Sequence, residues 1–330
     1  MKAMNMKMMR VAVQMDAFDR LDAPEDTTLA MMRGALRRGA EIFVYQPNDM
    51  SWKSEGSGAL TARGAFVAAW DDPAKIPQLA APSEENLAGF DVVLLRQDPP
   101  FDMAYITSTY LLELIADQVL IVNDPRAVRD APEKLFIARW PDLMPPTLVS
   151  GDAASIAAFL ARHGDIVLKP LYSYGGKGVV RLGAQAPETA IVDYLRDLGG
   201  LPCVAQKFIP EIVKGDKRVL LVDGQIAAAY SRVPKAGEFR VNIGAGAHIK
   251  PCEIAAEERA VIARFSGELA RRGILFAAID LMAGLVGEIN VTSPAGFFDA
   301  NTLYGLQGAD RMEEKFWNMI EGRLAKKRAS

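Results

Sequence analysis

At 330 residues the chain exceeds what one hydrophobic core usually organises, since domains cluster near about 100–150 residues and split beyond roughly 250–300, so two or three domains are expected. A hydrophobic share of 50%, a charged share of 24% and a mean hydropathy of +0.06 exclude a disordered chain. The net charge of −3 supplies no basic field for nucleic acid, and the two cysteines, Cys203 and Cys252, with the two histidines, His163 and His248, are too few for a Cys/His zinc site or a disulfide framework. Such cysteine usage fits a reducing, cytoplasmic compartment.

Residues 1–9 lack the apolar run of a signal peptide and read as a disordered leader. No apolar run reaches the length of about 18 residues that a membrane helix needs, so no membrane partner is expected. A buried-strand pattern over 11–16 leads to a helix over 27–38, closed by Gly39, and a strand over 41–45. The stretch 51–82 reads as irregular, with a small hairpin over 60–68. A strand over 91–96, the extended Asp98-Pro99-Pro100-Phe101-Asp102, a helix over 105–117 and a strand over 119–123 complete an alternation that implies a parallel sheet. The texture changes near 125–130, where a domain boundary is expected. Beyond it, 128–140 and 152–163 read as helices and 166–170 as a strand. Strands over 203–208 and 217–222, a loop over 233–251 rich in Gly, Ala and Arg, and a helix over 253–272 follow. The basic end Lys326-Lys327-Arg328 reads as a solvated helix terminus.

Single-motif signatures of hydrolases and dehydrogenases are absent: the chain has no G-x-x-x-x-G-K-[ST], H-E-x-x-H or G-x-S-x-G, and no G-x-G-x-x-G after its first strand. Three separated elements instead make sense around a nucleoside triphosphate. In the first, Tyr172 to Val180, Gly175, Gly176 and Gly178 allow backbone N–H groups to approach an anion, although a plain hairpin turn accounts for the same glycines. Lys169, ending the apolar run 166–168, either meets an anion or snorkels to solvent. In the second, two apolar strands flank Ala283-Gly284, and period-2 geometry brings Glu288 and Asn290 to one face with Asp280 on the partner strand. Two carboxylates and an amide oxygen, without His or Cys, suit Mg2+. The third is the arginine set Arg218, Arg232 and Arg240, whose forks suit phosphate or carboxylate; each alone is as well explained by a surface salt bridge.

Taken together with Arg96-Gln97-Asp98-Pro99-Pro100-Phe101-Asp102, Arg129 to Phe136, Gly215-Asp216-Lys217-Arg218 and Glu288 to Pro294, these stretches resemble the ATP-grasp ligases, and among them the bacterial glutathione synthetases. The resemblance implies an α/β and α+β chain, an ATP-grasp fold preceded by a pre-ATP-grasp, Rossmann-like α/β domain. Its divisions would be the leader 1–9, an N-terminal domain 10–126, a central lid domain 127–210, and a C-terminal domain 211–325 with the metal and substrate site. By resemblance, Lys134 and Lys169 bind phosphate and the loop with Tyr174, Gly175 and Gly176 covers it. Gln206, Lys207, Phe208 and Ile209 read adenine, and Asp216 holds ribose. Asp280, Glu288 and Asn290 hold Mg2+, with Mn2+ as an alternative. Arg218, Arg232 and Arg240 are catalytic toward an acyl phosphate, and Arg96, Asn242 and Ser293 contact substrate.

The implied reaction is ATP-dependent C–N ligation of γ-glutamylcysteine to glycine through an acyl phosphate, releasing ADP and phosphate. The implied partners are therefore an acidic dipeptide and an amino acid, in a cytoplasmic homo-oligomer. The alternatives are a similar ligase for another amino acid or peptide, and a nucleotide-binding protein without turnover. Three departures bear on this choice. Pro132 stands where the resemblance expects Asn, Ala247-His248-Ile249 replaces a more Gly-rich loop end, and Ala295-Gly296-Phe297-Phe298-Asp299 replaces a segment with Arg and Glu. Phe297 and Phe298 would suit a bulkier partner.

Overall fold

In the computed structural model, which describes residues 8–329 apart from 22, 24 and 57, the run Val11-Ala12-Val13 is fully buried in β1 (Arg10–Gln14) at the heart of the first sheet. Its companions are β2 (Glu41–Tyr45), β3 (Met50–Lys53), β4 (Ala59–Ala69), β5 (Gln78–Leu79), β6 (Ser83–Asn86), β7 (Val92–Leu95) and β8 (Leu120–Val122). The order is β3-β4-β2-β1-β7-β8, with β5 and β6 set against β4. Strands β2, β1, β7 and β8 run parallel, as the alternation predicts. Helices α1 (Thr27–Arg37) and α2 (Met103–Glu113) start at Asp26 and Asp102, whose carboxylates accept from Leu29 N (2.8 Å) and Tyr105 N (3.0 Å). Residues 1–7 of the expected leader lie outside the described residues.

The stretch expected to be irregular is in fact an antiparallel extension of this sheet, and the hairpin expected over 60–68 is the single strand β4. Gly64 explains the misreading. It does not turn the chain: a Cβ there would lie 2.2 Å from the carbonyl oxygen of Val44, so glycine permits β4 to press against β2. The helix expected over 128–140 also divides, into α3 (Pro125–Asp130) and a 3-10 turn over Phe136–Arg139. Pro132 disfavours helical geometry for the residue before it, and Ala131 accordingly leaves the helix at φ −123°, ψ 63°.

The second sheet, β11-β10-β12-β9, is antiparallel and comprises β9 (Thr147–Ser150), β10 (Ile166–Pro170), β11 (Val180–Leu182) and β12 (Cys203–Lys207). Helices α4 (Ala153–His163) and α5 (Glu188–Asp197) back it through Ile156, Leu160 and Ile191. The third sheet, β15-β14-β13-β16-β17, comprises β13 (Asp216–Val222), β14 (Gln225–Val233), β15 (His248–Pro251), β16 (Phe276–Met282) and β17 (Leu285–Asn290). Strand β15 occupies the end of the expected loop, which shortens to 234–247. At the expected β16–β17 hairpin, Ala283 and Gly284 both take positive φ (49° and 79°), the two-residue geometry that matches strand twist.

Helix α6 (Ala256–Arg271) covers one face of the third sheet, while α7 (Phe297–Leu303) and α8 (Met312–Ala329) join its other face to α1 and the first sheet in one core. Gly34 makes that junction: a Cβ would meet the Trp317 ring at 2.7 Å, and the Trp317 indole donates to Met31 O (2.7 Å). The basic end of α8 is solvent-exposed, as expected, and makes surface contacts from Arg328 to Asp91 (3.0 Å) and from Lys327 to Ala116 O (3.2 Å).

Asn123, just after β8, ties the first sheet to the third. Its Oδ1 accepts from Leu275 N (2.8 Å) and Phe276 N (2.9 Å), and its Nδ2 donates to Phe276 O (2.7 Å) and Val291 O (2.8 Å). The amide is 4% exposed and uses both donor positions and both acceptor sites. Asn123→Ala would strand four buried backbone groups, and a loss of about 2–3 kcal/mol is expected in urea denaturation; an unchanged midpoint would remove Asn123 from the junction.

Candidate active site

Antiparallel register builds one row of charges across the third sheet. Asp216 on β13 pairs with Arg232 on β14, Arg218 on β13 with Asp280 on β16, and Asp280 with Glu288 on β17. Because 216 and 218 are two apart, both project to the same face. Arg218 grips Asp280 with Nε and Nη2, each at 2.9 Å. Arg232 binds Asp216 through Nε (2.9 Å) and Nη2, and reaches Asp280 Oδ2 at 2.9 Å. Burial opposes ionisation of Asp280, but the two guanidinium groups outweigh it and hold its pKa well below the usual carboxylate range. Asn290 Nδ2 adds a donor 3.3 Å from Asp280 Oδ2.

The second sheet supplies the facing wall. Lys169 on β10 donates to Gln206 Oε1 on β12 (3.0 Å), and Gln206 Nε2 donates to Thr147 Oγ1 on β9 (2.9 Å). Lys134, 7% exposed, donates to Ser173 O (2.5 Å) and stands 3.8 Å from Glu288 Oε2. Between the walls lies a cleft of about 260 Å3, roofed by two loops. Gly175, Gly176 and Gly178 in the first take φ of 64°, 74° and 72°; a Cβ on Gly176 would lie 2.4 Å from Asn242 Oδ1, so the first loop closes against the second. In the second loop, Glu238 accepts from Phe239 N and Arg240 N and pairs with Arg240 Nη2 at 2.6 Å, which pulls its pKa down to about 2.

Lys134, Lys169, Tyr174, Gly175, Gly176, Gln206, Lys207, Phe208, Ile209, Asp216, Arg218, Arg232, Arg240, Asn242, Asp280, Glu288, Asn290 and Ser293 all line this cleft. Arg96 does not line it: its side chain is 6% exposed, its Nε donates to Thr28 Oγ1 (3.1 Å), and its carbonyl accepts from Ser293 Oγ (3.2 Å). Both oxygens of Asp216 are engaged by Arg232. Of the segment expected to read adenine through its backbone, Lys207 N already donates to Pro146 O and Phe208 N to Asp165 O, each at 2.9 Å. Phe297 is a core residue, fully buried edge-on against Phe276 at 4.9 Å, and neither it nor Phe298 reaches the cleft. Sequence reasoning gave no role to Asp98, Glu133, Phe239, Met282 or Thr292, which line the cleft too. Phe239 and Met282 pack onto a small apolar cluster of Val167, Phe208 and Ile212, a slot suited to a flat ring.

Asp280, Glu288 and Asn290 have the donor chemistry of a Mg2+ site, one or two carboxylates with room for phosphate and water, although no three His, Cys, Asp or Glu side chains are grouped so as to hold a metal ion by themselves among the described residues. Lys169 titrates below an ordinary lysine because burial disfavours its charge, with Glu288 opposing. A bound polyanion would raise that pKa again. Nucleotide binding at alkaline pH is therefore expected to take up protons, and affinity to fall as pH rises through this window; calorimetry in buffers of different ionisation enthalpy reads it, and proton release would contradict it.

The comparisons with known proteins agree with this geometry. Residues 9–129 match the N-terminal domain family of prokaryotic glutathione synthetase, and residues 133–305 match its ATP-grasp domain family. The chain is 43% identical to the glutathione synthetase of Bradyrhizobium diazoefficiens over 319 residues, covering 96% of this chain and 99% of that one. It is 35% identical to that of Vibrio cholerae over 320 residues, with coverage of 96% and 98%. Among solved structures it superimposes on D-cycloserine synthetase DcsG (TM-score 0.67, 16% identity, 96% and 99% covered) and on the ATP-grasp ligase PsnB (TM-score 0.61, 19% identity, 95% and 99% covered), which establishes the fold. No helix among the described residues is long and apolar enough to cross a membrane. With both of its domain families matched in order and relatives similar along nearly the whole chain, the protein belongs to the prokaryotic glutathione synthetases, a family of ATP-grasp ligases.

Proposed function

We propose that the chain joins γ-glutamylcysteine to glycine at the cost of ATP, giving glutathione, ADP and phosphate. The observation that carries this reading is the meeting of Lys134 and Lys169 with Asp280, Glu288 and Asn290 in one roofed cleft. A carboxylate is a poor electrophile. An oxygen of the dipeptide carboxylate therefore attacks the γ-phosphorus, the bond to the β-phosphate oxygen breaks, and ADP leaves behind an acyl phosphate. Lys134 and Lys169 offset charge on the transferred group, and Asp280, Glu288 and Asn290 would hold Mg2+, or Mn2+, which when bound neutralises the triphosphate further. The glycine nitrogen then forms the C–N bond, loses a proton, and phosphate departs with its C–O bond broken. Arg218 and Arg232 line the place where oxyanion charge would develop, and Arg240 approaches from the second loop. The two loops exclude water, which would otherwise hydrolyse the acyl phosphate.

Gln206 to Ile209 with the apolar slot would take the adenine base, Asp216 the ribose side, the loop with Tyr174, Gly175 and Gly176 the phosphates, and Asn242 and Ser293 the amino-acid substrates. Arg96 would act on them from behind Ser293. We further assign domains 10–126, 127–210 and 211–325, a homo-oligomeric state and a cytoplasmic location. One departure in the cleft favours a second reading: Ala295 lines it where the resemblance expects a charged segment, so another amino acid or peptide would be the substrate. Product analysis separates the two. Glutathione with equimolar ADP supports the first, whereas ADP and phosphate without glutathione sink it.

A further inference from the structure

Glu133 has no part in the chemistry above, yet it is bonded to the site from two directions. Its Oε1 accepts from Val291 N (3.1 Å), Thr292 N (3.2 Å) and Thr292 Oγ1 (2.7 Å), and its carbonyl accepts from Ile289 N (3.1 Å). These four bonds run beside Ile289 to Thr292, the stretch that begins one residue after Glu288 and passes through Asn290. The next residue, Lys134, holds Ser173 O of the first loop and stands 3.8 Å from Glu288 Oε2. Lys134 belongs to no strand: the segment between α3 and the 3-10 turn at Phe136 carries it. Its distance from the third sheet is set on one side by the Glu133 contact with β17 and the residues after it, and on the other by Phe136 and Ile137, buried in the same core as Ile289 and Val291.

We propose that Glu133 is a positioning residue that registers the Lys134 ammonium against Glu288 and Asn290, so that the cation and the oxygen donors address the same triphosphate. This rests on the nucleotide reading given above. The role requires an acceptor, not a charge. Burial raises the Glu133 pKa, with the Thr292 hydroxyl opposing, but Oε1 accepts in either protonation state. An amide in its place keeps the three bonds; a methyl group removes them and leaves two backbone N–H groups without partners.

The test is equilibrium binding of a non-hydrolysable ATP analogue by calorimetry, with Mg2+ present, to the full chain and to Glu133→Gln, Glu133→Ala and Thr292→Val. Glu133→Ala is expected to bind about tenfold more weakly, the equivalent of about 1.4 kcal/mol. Glu133→Gln should stay within about threefold of the unaltered chain, and Thr292→Val, which loses only the 2.7 Å bond, should fall between them. A staple of purely structural importance would lower the melting temperature of Glu133→Ala without moving the affinity of the folded protein, and that result overturns the proposal, as does a Gln variant as weak as the Ala variant. If Glu133→Ala does not fold, Thr292→Val against Glu133→Gln decides by the same criterion. Failure of the unaltered chain to bind the analogue strikes the nucleotide reading itself, a distinguishable outcome.

Discussion

Arg232→Ala is expected to lower the stability of the chain by about 3–5 kcal/mol, the usual cost of breaking a buried ion pair by removing one partner. Arg232, 3% exposed, holds both oxygens of Asp216 and one of Asp280, so its loss leaves two carboxylates, 5% and 7% exposed, with only Arg218 between them. Chemical denaturation at neutral pH reads the effect directly, and equal midpoints for the two proteins would dismiss it. The pH dependence supplies a second reading. The folded-state pKa of Asp280 is depressed, so its contribution is present above the unfolded carboxylate value of about 3.9 and is lost as pH falls toward the lower folded value. The variant depresses Asp280 less and has less to lose in acid. Asp216 is pushed the opposite way, up, by burial, and loss of Arg232 pushes it further. The stability difference between the two proteins is therefore expected to begin narrowing above about pH 4, as Asp216 of the variant takes up its proton, and to narrow further below it.

This network also marks the limit of what the sequence discloses. Strand identity was legible wherever apolar runs are bounded by clear turn residues: β2 and β10 fall on the expected residues, and β16 and β17 pair as expected across Ala283-Gly284, although Asp280 comes opposite Glu288 only through a one-residue register shift beside Leu281 that the sequence does not announce. Which strand lies beside β13 was not legible, because register between strands separated by a helix and a long loop depends on tertiary packing. The use of Arg218 as a counter-ion to Asp280 follows from that register, whereas Asp216 meets Arg232 within the local β13–β14 hairpin, whose second strand the sequence reading did not assign. Residues with two structural uses misled in a different way. Gly64 serves close strand approach instead of a turn, and the Phe297 ring fills the core between Phe276 and Phe316 instead of facing a substrate. Glu133 lay inside a recognisable motif, but its partners are mostly backbone groups of Val291 and Thr292, which a sequence pattern does not reveal.

Lys169→Ala and Glu288→Ala are each expected to reduce amine-dependent ADP release by about 10²–10³-fold, the range for removing one preorganised electrostatic contact to a reacting group. For Lys169 the accompanying change in stability is the sharper test. Its side chain is half-buried in the cleft wall, its ammonium donates to the neutral Gln206 amide, and burial already disfavours its charge. Removing it relieves a desolvation cost while depriving Gln206 Oε1 of a donor worth about 1 kcal/mol. The melting temperature should therefore stay level or rise as activity collapses. A lysine kept for the fold would behave in the opposite way, with turnover near normal and stability reduced. For Glu288 the discriminating measurement is metal titration: an oxygen donor lost from the set should raise the Mg2+ concentration needed for half-maximal nucleotide affinity, whereas an unchanged requirement would place the metal elsewhere. Loss of turnover in both variants, with the fold retained in both, joins the cationic wall of the second sheet and the acidic edge of the third into a single phosphoryl-transfer site.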